Sequence, residues 1–344
     1  MAKVVQFAQH GNAGVLQIVE QPIRQLDPGE VLIDVKAFGV QRADILWREG
    51  QYIQAPDRFP IGLGYDCVGL ISAVGEGVSP WQVGDRVAVL PGFSLTDYTV
   101  YGEVAIMHQD FLMPLPRVEL SWSKYAVIPV PYFTAYFPLF EVANLPQAQY
   151  VVITAAASSV GIAAMQMAKT HGVKVIGTSR NHAKQDKILN LGADYFVATN
   201  DENIVEQIRK IVGMHGVDIV FDPIGGVMIG KWYQVIKRAG HIIHYGLLDT
   251  NDAHIPMMSA MVNAVKLNTY TIFEYTGNQA MGLPRNQAAI DRATQYINNG
   301  FEQGTLTPVI AKQFPLEAVA DAHRYLESNQ QVGKIVVTTL PDPL

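Results

Sequence analysis

The sequence contains a single cysteine, Cys67, so no disulfide can form within the chain. It also lacks any apolar run that approaches the ~20 residues of a membrane-spanning helix. The opening residues, MAKVVQFAQHGNAG, contain no apolar region of the kind found in signal peptides. These absences favour a cytoplasmic protein that does not enter a membrane.

Positive charge is also scarce. Lys and Arg total 25 against 31 Asp and Glu, and the formal net charge is -6, so nucleic acid is not an expected partner. Charged residues make up 16% and hydrophobic residues 49% of the 344 positions, which is enough apolar mass for sizeable cores. The length suits two domains.

The most informative stretch extends from Tyr150 to Arg180. It begins with the β-branched run YVVIT, continues through the uncharged turn AAASSVG into an apolar helical segment, and ends in the run VKVIG. Buried parallel strands have this β-branched composition, and a helix that packs on a sheet is apolar on most of its surface. The order predicts one βαβ unit of a dinucleotide-binding fold.

The turn of this unit departs from the pattern G-x-G-x-x-G. Its three key positions hold Ala156, Ser158 and Gly161. Small residues there allow backbone amides and the helix N-terminus to approach a pyrophosphate. The predicted pyrophosphate-binding residues are Ala156, Ser158, Ser159, Val160 and Gly161. A tight helix–strand turn, as in any α/β protein, is the alternative interpretation.

The end of the second strand indicates which dinucleotide is bound. An NAD site places Asp or Glu about 20 residues beyond the glycine turn. This strand instead ends in Ser179 and Arg180, with Lys184 close behind. A guanidinium can pair with a 2′-phosphate, and no carboxylate is present to repel it. The pattern predicts NADP(H), although Arg180 and Lys184 would also suit a solvated helix start.

The chain changes character near residue 130. Residues 1–129 are rich in β-branched runs punctuated by Gly and Pro, whereas residues 130–278 alternate strands and helices and end in a predicted strand from Asn268 to Glu274. Helices are predicted at 284–299 and 315–328. The closing strand GKIVVTTL should return to the first domain, because a lone strand must find a sheet.

Several segments, in this order, resemble the medium-chain dehydrogenase/reductases of the zinc-free quinone oxidoreductase and enoyl reductase branch. They are VGEGVSPWQVGDRVAVLP (74–91), YGEVAIMHQDFLMPLP (101–116), PYFTAYFPLF (131–140), TAAASSVG (154–161), VDIVFDPIGG (217–226) and ESNQQVGKIVV (327–337). The resemblance implies an α/β protein with a GroES-like β-barrel catalytic domain at 1–129 and 279–344. It also implies a Rossmann NADP(H)-binding domain, a doubly wound parallel sheet, at 130–278, with a nicotinamide cleft between the two.

The same resemblance locates the positions at which related enzymes bind zinc. Zinc-dependent members have Cys where this chain has Gln41, His-Glu where it has Tyr65-Asp66, and their third ligand near Val130. A catalytic zinc needs three N, S or O donors in a tetrahedral set, which Gln, Tyr and Val cannot supply.

No other residues offer a convincing metal site. The structural zinc of those relatives needs four cysteines, and only Cys67 is present. His241 and His244 are spaced H-x-x-H, but on a predicted strand, where residues three apart point to opposite faces. We therefore expect no metal site.

Without zinc there is no Lewis acid to polarise a carbonyl. The resemblance then implies hydride transfer from NADPH to a quinone, an enone, an alkenal or an enoyl thioester, and the apolar residues expected around the site favour a small hydrophobic substrate.

Gln41 and Tyr52 match positions that line the substrate site. Tyr65, at a vacated ligand position, could donate its phenol proton. A core aromatic with a satisfied hydroxyl is the alternative for either tyrosine. Asp44 matches a frequent, structural Asp of the same loop, and Asp66 has no assigned role.

Further cofactor contacts are implied by the same matches. Thr134 corresponds to a threonine beside the nicotinamide, although the stripe PYFTAYF around it is typical of a core. Tyr245 and Gly246 follow a predicted buried strand. Gly333 and Lys334 lie where a C-terminal loop closes over the cofactor, and a plain β-turn is the alternative there.

Two other functions remain open at this stage: a non-catalytic NADPH-binding redox-sensing protein, and a zinc-type alcohol dehydrogenase. The resemblance also implies a homodimer formed through the last Rossmann strand, NTYTIFEY (268–275). That segment is β-rich and uncharged until Glu274, so as a free edge it would invite aggregation.

Overall fold

A computed structural model of the chain describes residues 1–340, which contain sixteen β-strands. The strands are β1 (Ala2–Phe7), β2 (Gln17–Gln21), β3 (Glu30–Val40), β4 (Ile61–Gly62), β5 (Cys67–Val74), β6 (Arg86–Val89), β7 (Val104–His108), β8 (Leu112–Pro114), β9 (Tyr150–Ile153), β10 (Lys174–Ser179), β11 (Tyr195–Ala198), β12 (Val217–Asp222), β13 (Ile236–His244), β14 (Lys266–Thr269), β15 (Ile310–Pro315) and β16 (Lys334–Thr338).

The α-helices lie between these strands and supply most of the remaining regular structure. They are α1 (Arg42–Glu49), α2 (Trp122–Tyr125), α3 (Pro129–Tyr136), α4 (Ser159–Thr170), α5 (Gln185–Asn190), α6 (Ile204–Val212), α7 (Met228–Trp232), α8 (Met257–Val262), α9 (Phe273–Thr276), α10 (Gln287–Glu302) and α11 (Val319–Glu327). A π-helical segment, Phe137–Val142, continues α3.

The elements group into two units. The first unit consists of Met1–Val130, Phe273–Gly304 and residues 308–340, and the second of Pro131–Ile272 with Thr305–Thr307. Residues 273–278, which the sequence prediction gave to the nucleotide-binding domain, therefore lie in the first unit.

The first unit is built around the long strand β3, which pairs antiparallel with β5, β7 and β16. The sheet order is β15-β16-β3-β5-β6-β8, and a smaller sheet has the order β2-β1-β4. The C-terminal strand β16 thus returns to the first unit, as predicted. The inward side chains of β3, among them Val31, Ile33 and Phe38, are fully buried.

The second unit is a parallel sheet with the order β11-β10-β9-β12-β13-β14, which is the doubly wound order of a Rossmann fold. Every pair in it is parallel. Strand residues such as Val152, Val220 and Ile242 share a core with Trp232 of α7. The predicted fold class is confirmed for this unit.

The predicted strand from Asn268 to Glu274 is wrong beyond Thr269. β14 ends there, because its partner β13 ends at His244 and the two residues are opposite each other. Phe273 begins α9 and packs on Tyr65, a residue of the first unit. The β-rich composition of this segment is therefore overridden by burial of its aromatic side chain.

None of the helices within residues 1–340 combines the length and the apolar composition that a bilayer span requires.

Candidate active site

The predicted pyrophosphate turn lies at the N-terminus of α4. Ser158 caps this helix, and its Oγ accepts a hydrogen bond from the Gly161 N–H at 3.0 Å. A Cβ atom on Gly161 would lie 2.9 Å from the Ala155 carbonyl oxygen, so only glycine allows the helix to approach the turn this closely. The first amides of α4 remain available to an anion.

Strand order reverses between β9 and β12, and in doubly wound folds ligands bind at such a switch point. Beside it, the Thr154 hydroxyl donates to the fully buried Asp222 carboxylate. Asp222 also accepts from the Gly225 N–H at 2.9 Å and so fixes the loop after β12. Sequence reasoning did not identify this pair, although the Asp that ends VDIVFD was a visible signal.

Tyr245 follows β13, and its ring stacks on Phe221 with a centroid distance of 4.1 Å. Its hydroxyl is buried and makes no hydrogen bond of normal geometry. Burial raises the pKa of Tyr245, the Asp222 charge adds to the rise, and neighbouring Ser158 offsets part of it. A Cβ on Gly246 would lie 2.9 Å from the Pro223 carbonyl oxygen, so this position also requires a small residue. The structure therefore brings Tyr245 to the pyrophosphate turn.

The residues predicted to select the 2′-phosphate are close together after β10. Burial lowers the pKa of Lys184, and the nearby charges of Arg180 and Lys187 lower it further. The Asn181 side chain accepts from the Ala183 N–H at 3.1 Å and shapes this turn. On β10 itself, the buried Thr178 hydroxyl has no hydrogen-bond partner, a polar position that sequence reasoning missed.

The stripe PYFTAYF is mainly core, as its composition indicated. Tyr132, Phe133 and Phe137 are buried, and the Tyr132 hydroxyl lies 2.9 Å from both Gln166 Oε1 and the Thr307 carbonyl oxygen. Thr134, in the middle of the stripe, is only half-buried. The Thr134 side chain is therefore partly accessible, and its predicted contact with the cofactor stays a prediction.

The predicted catalytic tyrosines belong to an aromatic cage in the first unit, formed by Tyr52, Tyr65, Phe93 and Phe273. The Tyr65 ring centroid lies 5.9 Å from Tyr52, 5.6 Å from Phe93 and 5.7 Å from Phe273. Tyr65 is 2% exposed, and its hydroxyl makes no hydrogen bond of normal geometry. Burial raises the pKa of Tyr52 to about 12 and that of Tyr65 well above its ordinary value. Both phenols are protonated at neutral pH and can donate.

A polar cluster formed by Gln41, Asp66 and Lys334 lies at the N-terminus of α1. Gln41 Nε2 donates to Asp66 Oδ1 at 2.6 Å, and Lys334 Nζ donates to Gln41 Oε1. Lys334 Nζ also lies 3.6 Å from Asp66 Oδ2. Burial raises the pKa of Asp66 and lowers that of Lys334. Asp66, which had no assigned role, is thus the counter-ion of a buried lysine.

The Lys334 ammonium contacts Gln41 and Asp66 within this cluster. Its predicted contact with the cofactor stays a prediction. Gly333, before it, has a φ of 103°, and its Cβ would lie 2.5 Å from the Val309 carbonyl oxygen. A turn that only glycine can form therefore leads into β16.

Asp44 supports the start of α1. Its carboxylate accepts from the Gln41 backbone N–H and from the Tyr101 hydroxyl, each at 2.8 Å. Burial raises the pKa of Asp44 to about 7. Its charge adds to the rise in the pKa of both Tyr52 and Tyr65, which burial causes first. The structural role suggested for Asp44 is consistent with these contacts.

Within the described residues, no group of three or more His, Cys, Asp or Glu side chains is arranged to hold a metal ion. His241 lies 3.3 Å from the Asn268 side chain, whereas His244 Nδ1 lies 3.2 Å from the Asp222 carbonyl oxygen. The two imidazoles therefore have separate surroundings.

Two family models match the chain. The model described as alcohol dehydrogenase GroES-like domain matches residues 27–117, and the one described as zinc-binding dehydrogenase matches residues 159–283. The first match lies within the first unit, and the second covers residues 159–272 of the second unit and continues into residues 273–283 of the first. Their order along the chain is the one that the sequence resemblance implied.

Full-length comparisons agree with these models. The chain is 31% identical to the quinone oxidoreductase of Lama guanicoe, over 98% of this chain and 97% of that protein. It is 34% identical to the synaptic vesicle membrane protein VAT-1 homolog of Danio rerio, over 92% of this chain; it spans 65% of that protein, less than two thirds of its length.

Among solved structures, Escherichia coli quinone oxidoreductase complexed with NADPH superimposes with a TM-score of 0.85 at 25% identity, over 98% of this chain and 99% of that one. The chain belongs to the medium-chain dehydrogenase/reductase superfamily, in its quinone oxidoreductase-like branch.

Proposed function

We propose that the protein is an NADPH-dependent reductase of quinones or of activated C=C bonds, namely enones, alkenals and enoyl thioesters. The observation that carries the proposal is the Tyr65 hydroxyl: this buried proton donor lies in a cage of aromatic rings, adjoins the Tyr52 hydroxyl and makes no hydrogen bond of normal geometry. A buried hydroxyl normally has a partner, and a substrate carbonyl oxygen would supply one. Flat conjugated carbonyl compounds also suit stacking against the aromatic side chains.

The residues of the second unit fit NADP(H). The N-terminus of α4 and the Ser158 hydroxyl would bind the pyrophosphate, and Arg180 with Lys184 would pair with the 2′-phosphate. The Tyr245 hydroxyl, buried beside Ser158, offers a further hydrogen bond to the cofactor. Thr134 and Gly246 are proposed to line the rest of the cofactor site.

When bound, reduced nicotinamide supplies a hydride. Tyr65 then delivers its proton to the substrate oxygen on which negative charge develops, and Gln41 provides a second hydrogen-bond donor for that oxygen. The apolar rings of the aromatic cage exclude water from the phenol. In this proposal Tyr52 is the competing proton donor, because its hydroxyl adjoins that of Tyr65.

We further propose that the reaction proceeds without zinc. Related zinc enzymes have ligands where this chain has Gln41, Tyr65 and Val130. The carboxylate nearest to these positions, that of Asp66, already has Lys334 Nζ at 3.6 Å and the Val130 N–H at 3.4 Å. Asp66 is therefore already engaged by an ammonium and a backbone N–H, and Gln41, Tyr65 and Val130 do not provide the N and S ligands that zinc prefers.

The test is NADPH oxidation, followed by absorbance, with a panel of quinones, alkenals and enoyl thioesters, with NADH in parallel. Turnover of at least one class with a preference for NADPH is expected. NADPH binding without turnover of any class would instead indicate a redox-sensing protein. Stoichiometric zinc in the purified enzyme, with activity lost on chelation, would refute the zinc-free mechanism.

A further inference from the structure

The buried ammonium of Lys334 fixes the orientation of the Gln41 carboxamide. Lys334 is 2% exposed, and its Nζ donates to Gln41 Oε1. On the other side of the amide, Gln41 Nε2 donates to Asp66 Oδ1 at 2.6 Å. The carbonyl end of the amide therefore faces a cation, and its nitrogen faces a carboxylate.

The backbone is shaped to admit this cation. Gly39 lies on β3, and a Cβ atom there would lie 2.2 Å from Lys334 Cε and 2.9 Å from Asp66 Oδ1. The lysine side chain fills the space that a side chain at residue 39 would take. Burial of an ion pair is usually no more stabilising than apolar packing of the same volume, so stability alone does not explain Lys334 and Asp66 here.

The ammonium also changes the donor strength of the amide. A cation that donates to a carboxamide oxygen draws electron density from the nitrogen, and linked hydrogen bonds polarise one another. Gln41 Nε2 carries two hydrogens. One is held by Asp66, whereas the other has only a long contact, 3.4 Å, to the Gly39 carbonyl oxygen. The second hydrogen can therefore be taken over by a better acceptor.

Gln41 is connected to the aromatic cage through the chain, because Asp66, which accepts from Gln41 Nε2, directly follows Tyr65. The Gln41 backbone N–H also donates to the Asp44 carboxylate at 2.8 Å. We propose that Lys334 is a positioning residue: it orients and polarises the Gln41 carboxamide so that one N–H of Gln41 binds the carbonyl oxygen of a quinone or enone. The identity of the ligand rests on the proposed function, but the role of Lys334 does not require turnover.

The competing explanation is purely structural, with Lys334 and Asp66 only joining β16 to the start of α1. A double-mutant cycle separates the two explanations. The variants are Gln41→Ala, Lys334→Met, both together, and the pair Asp66→Asn/Lys334→Met, which removes the two charges at once. Lys312→Met, at an exposed lysine on the neighbouring strand β15, is the matched control.

The readout is the dissociation constant of 2-cyclohexenone in the presence of NADP+, which cannot deliver hydride, with cyclohexene as the ligand that lacks the carbonyl. Gln41→Ala and Lys334→Met should each weaken cyclohexenone binding about tenfold, the loss of one strong hydrogen bond, without changing cyclohexene binding. The double variant should be no worse than either single variant. Asp66→Asn/Lys334→Met should recover thermal stability but not affinity, and Lys312→Met should match wild type.

Three results would overturn the inference. Wild-type protein that binds cyclohexenone no better than cyclohexene would show that no donor meets the carbonyl. Additive losses in the double variant would show that Lys334 does not act through Gln41. Recovery of cyclohexenone affinity in Asp66→Asn/Lys334→Met would show that the cluster has only a structural role. Binding of cyclohexenone without its reduction by NADPH would refute the proposed function and leave the role of Lys334 supported.

Discussion

Replacement of Tyr65 by phenylalanine should make the protein more stable and less active. The change keeps the ring contacts with Tyr52, Phe93 and Phe273 and removes only the hydroxyl. A buried polar group without a partner costs about 1–3 kcal/mol, so its removal should raise the free energy of unfolding by up to that amount. In a domain of 150–250 residues, each kcal/mol corresponds to a rise of ~2–4 °C in Tm.

Activity should change in the opposite direction. General acid catalysis contributes typically ~10²–10⁴-fold, and kcat for an enone should therefore fall by ~10²-fold or more in Tyr65→Phe while NADPH affinity is retained. For a quinone the fall should be smaller, because the hydroquinone anion is a better-stabilised product that water can protonate. The assays are a thermal melt and steady-state kinetics with one substrate of each class.

Tyr132→Phe is the matched control, because the Tyr132 hydroxyl is also buried but lies 2.9 Å from two acceptors. Its loss leaves buried acceptors with one donor fewer and should lower stability. If Tyr65→Phe is destabilised to the same extent, the Tyr65 hydroxyl has a partner in the free protein, and the reasoning fails. An unchanged enone rate in Tyr65→Phe, with a loss in Tyr52→Phe, would move the donor role to Tyr52. If neither change matters, the proton comes from solvent.

Three further predictions concern the cofactor, pH and assembly. Arg180→Ala should raise the NADPH dissociation constant about tenfold or more and leave that of NADH nearly unchanged, because it removes a charge-assisted hydrogen bond; equal losses in calorimetric titrations of both cofactors would contradict this assignment. Burial, followed by the Arg48 charge, lowers the pKa of His323 to about 3, whereas the unfolded imidazole titrates near 6.5. The free energy of unfolding should therefore fall by up to ~1.4 kcal/mol per pH unit below pH 6.5 through this residue, and urea titrations of His323→Gln should show a flatter pH dependence; an equal slope would exclude the effect. We also expect a homodimer through the edge strand β14, with exposed Met258 of α8 in the interface. Light scattering at micromolar concentration should give a dimer that Met258→Lys weakens, and a monomeric wild type would refute it.

The fold was predictable where local pattern and tertiary structure agree. The βαβ unit is one such place, because Tyr150–Ile153 is β-branched and fully supported by neighbours on both sides, and Ser158 is a good helix cap. The segment after Thr269 shows the opposite case. Its composition favours a strand, but the length of a strand depends on its partner, and β13 provides no residue beyond His244.

The sequence analysis named each residue of the polar cluster, but it did not predict that these residues contact one another. Gln41 and Lys334 are 293 positions apart, and they were given to substrate and cofactor respectively. Nothing local in either segment states that an ammonium meets a carboxamide. The one available signal was Gly39, since a glycine inside a strand often marks a close approach of another group.

The two units share one feature that bears on function. Among the buried polar atoms of the described chain without a hydrogen-bond partner are the hydroxyls of Tyr65, Tyr245 and Thr178. Tyr65 borders the proposed substrate and Tyr245 the proposed nucleotide, and neither hydroxyl makes a hydrogen bond of normal geometry in the free protein. A fold optimised for stability alone would place phenylalanine or valine at these positions. Trp232, whose indole N–H is also unpaired, lies in the core beneath the parallel sheet, so an unmet requirement marks a site only where a ligand could reach it. The positions of Tyr65 and Tyr245 at the predicted substrate and cofactor sites therefore favour a ligand as the missing partner over a defect of packing.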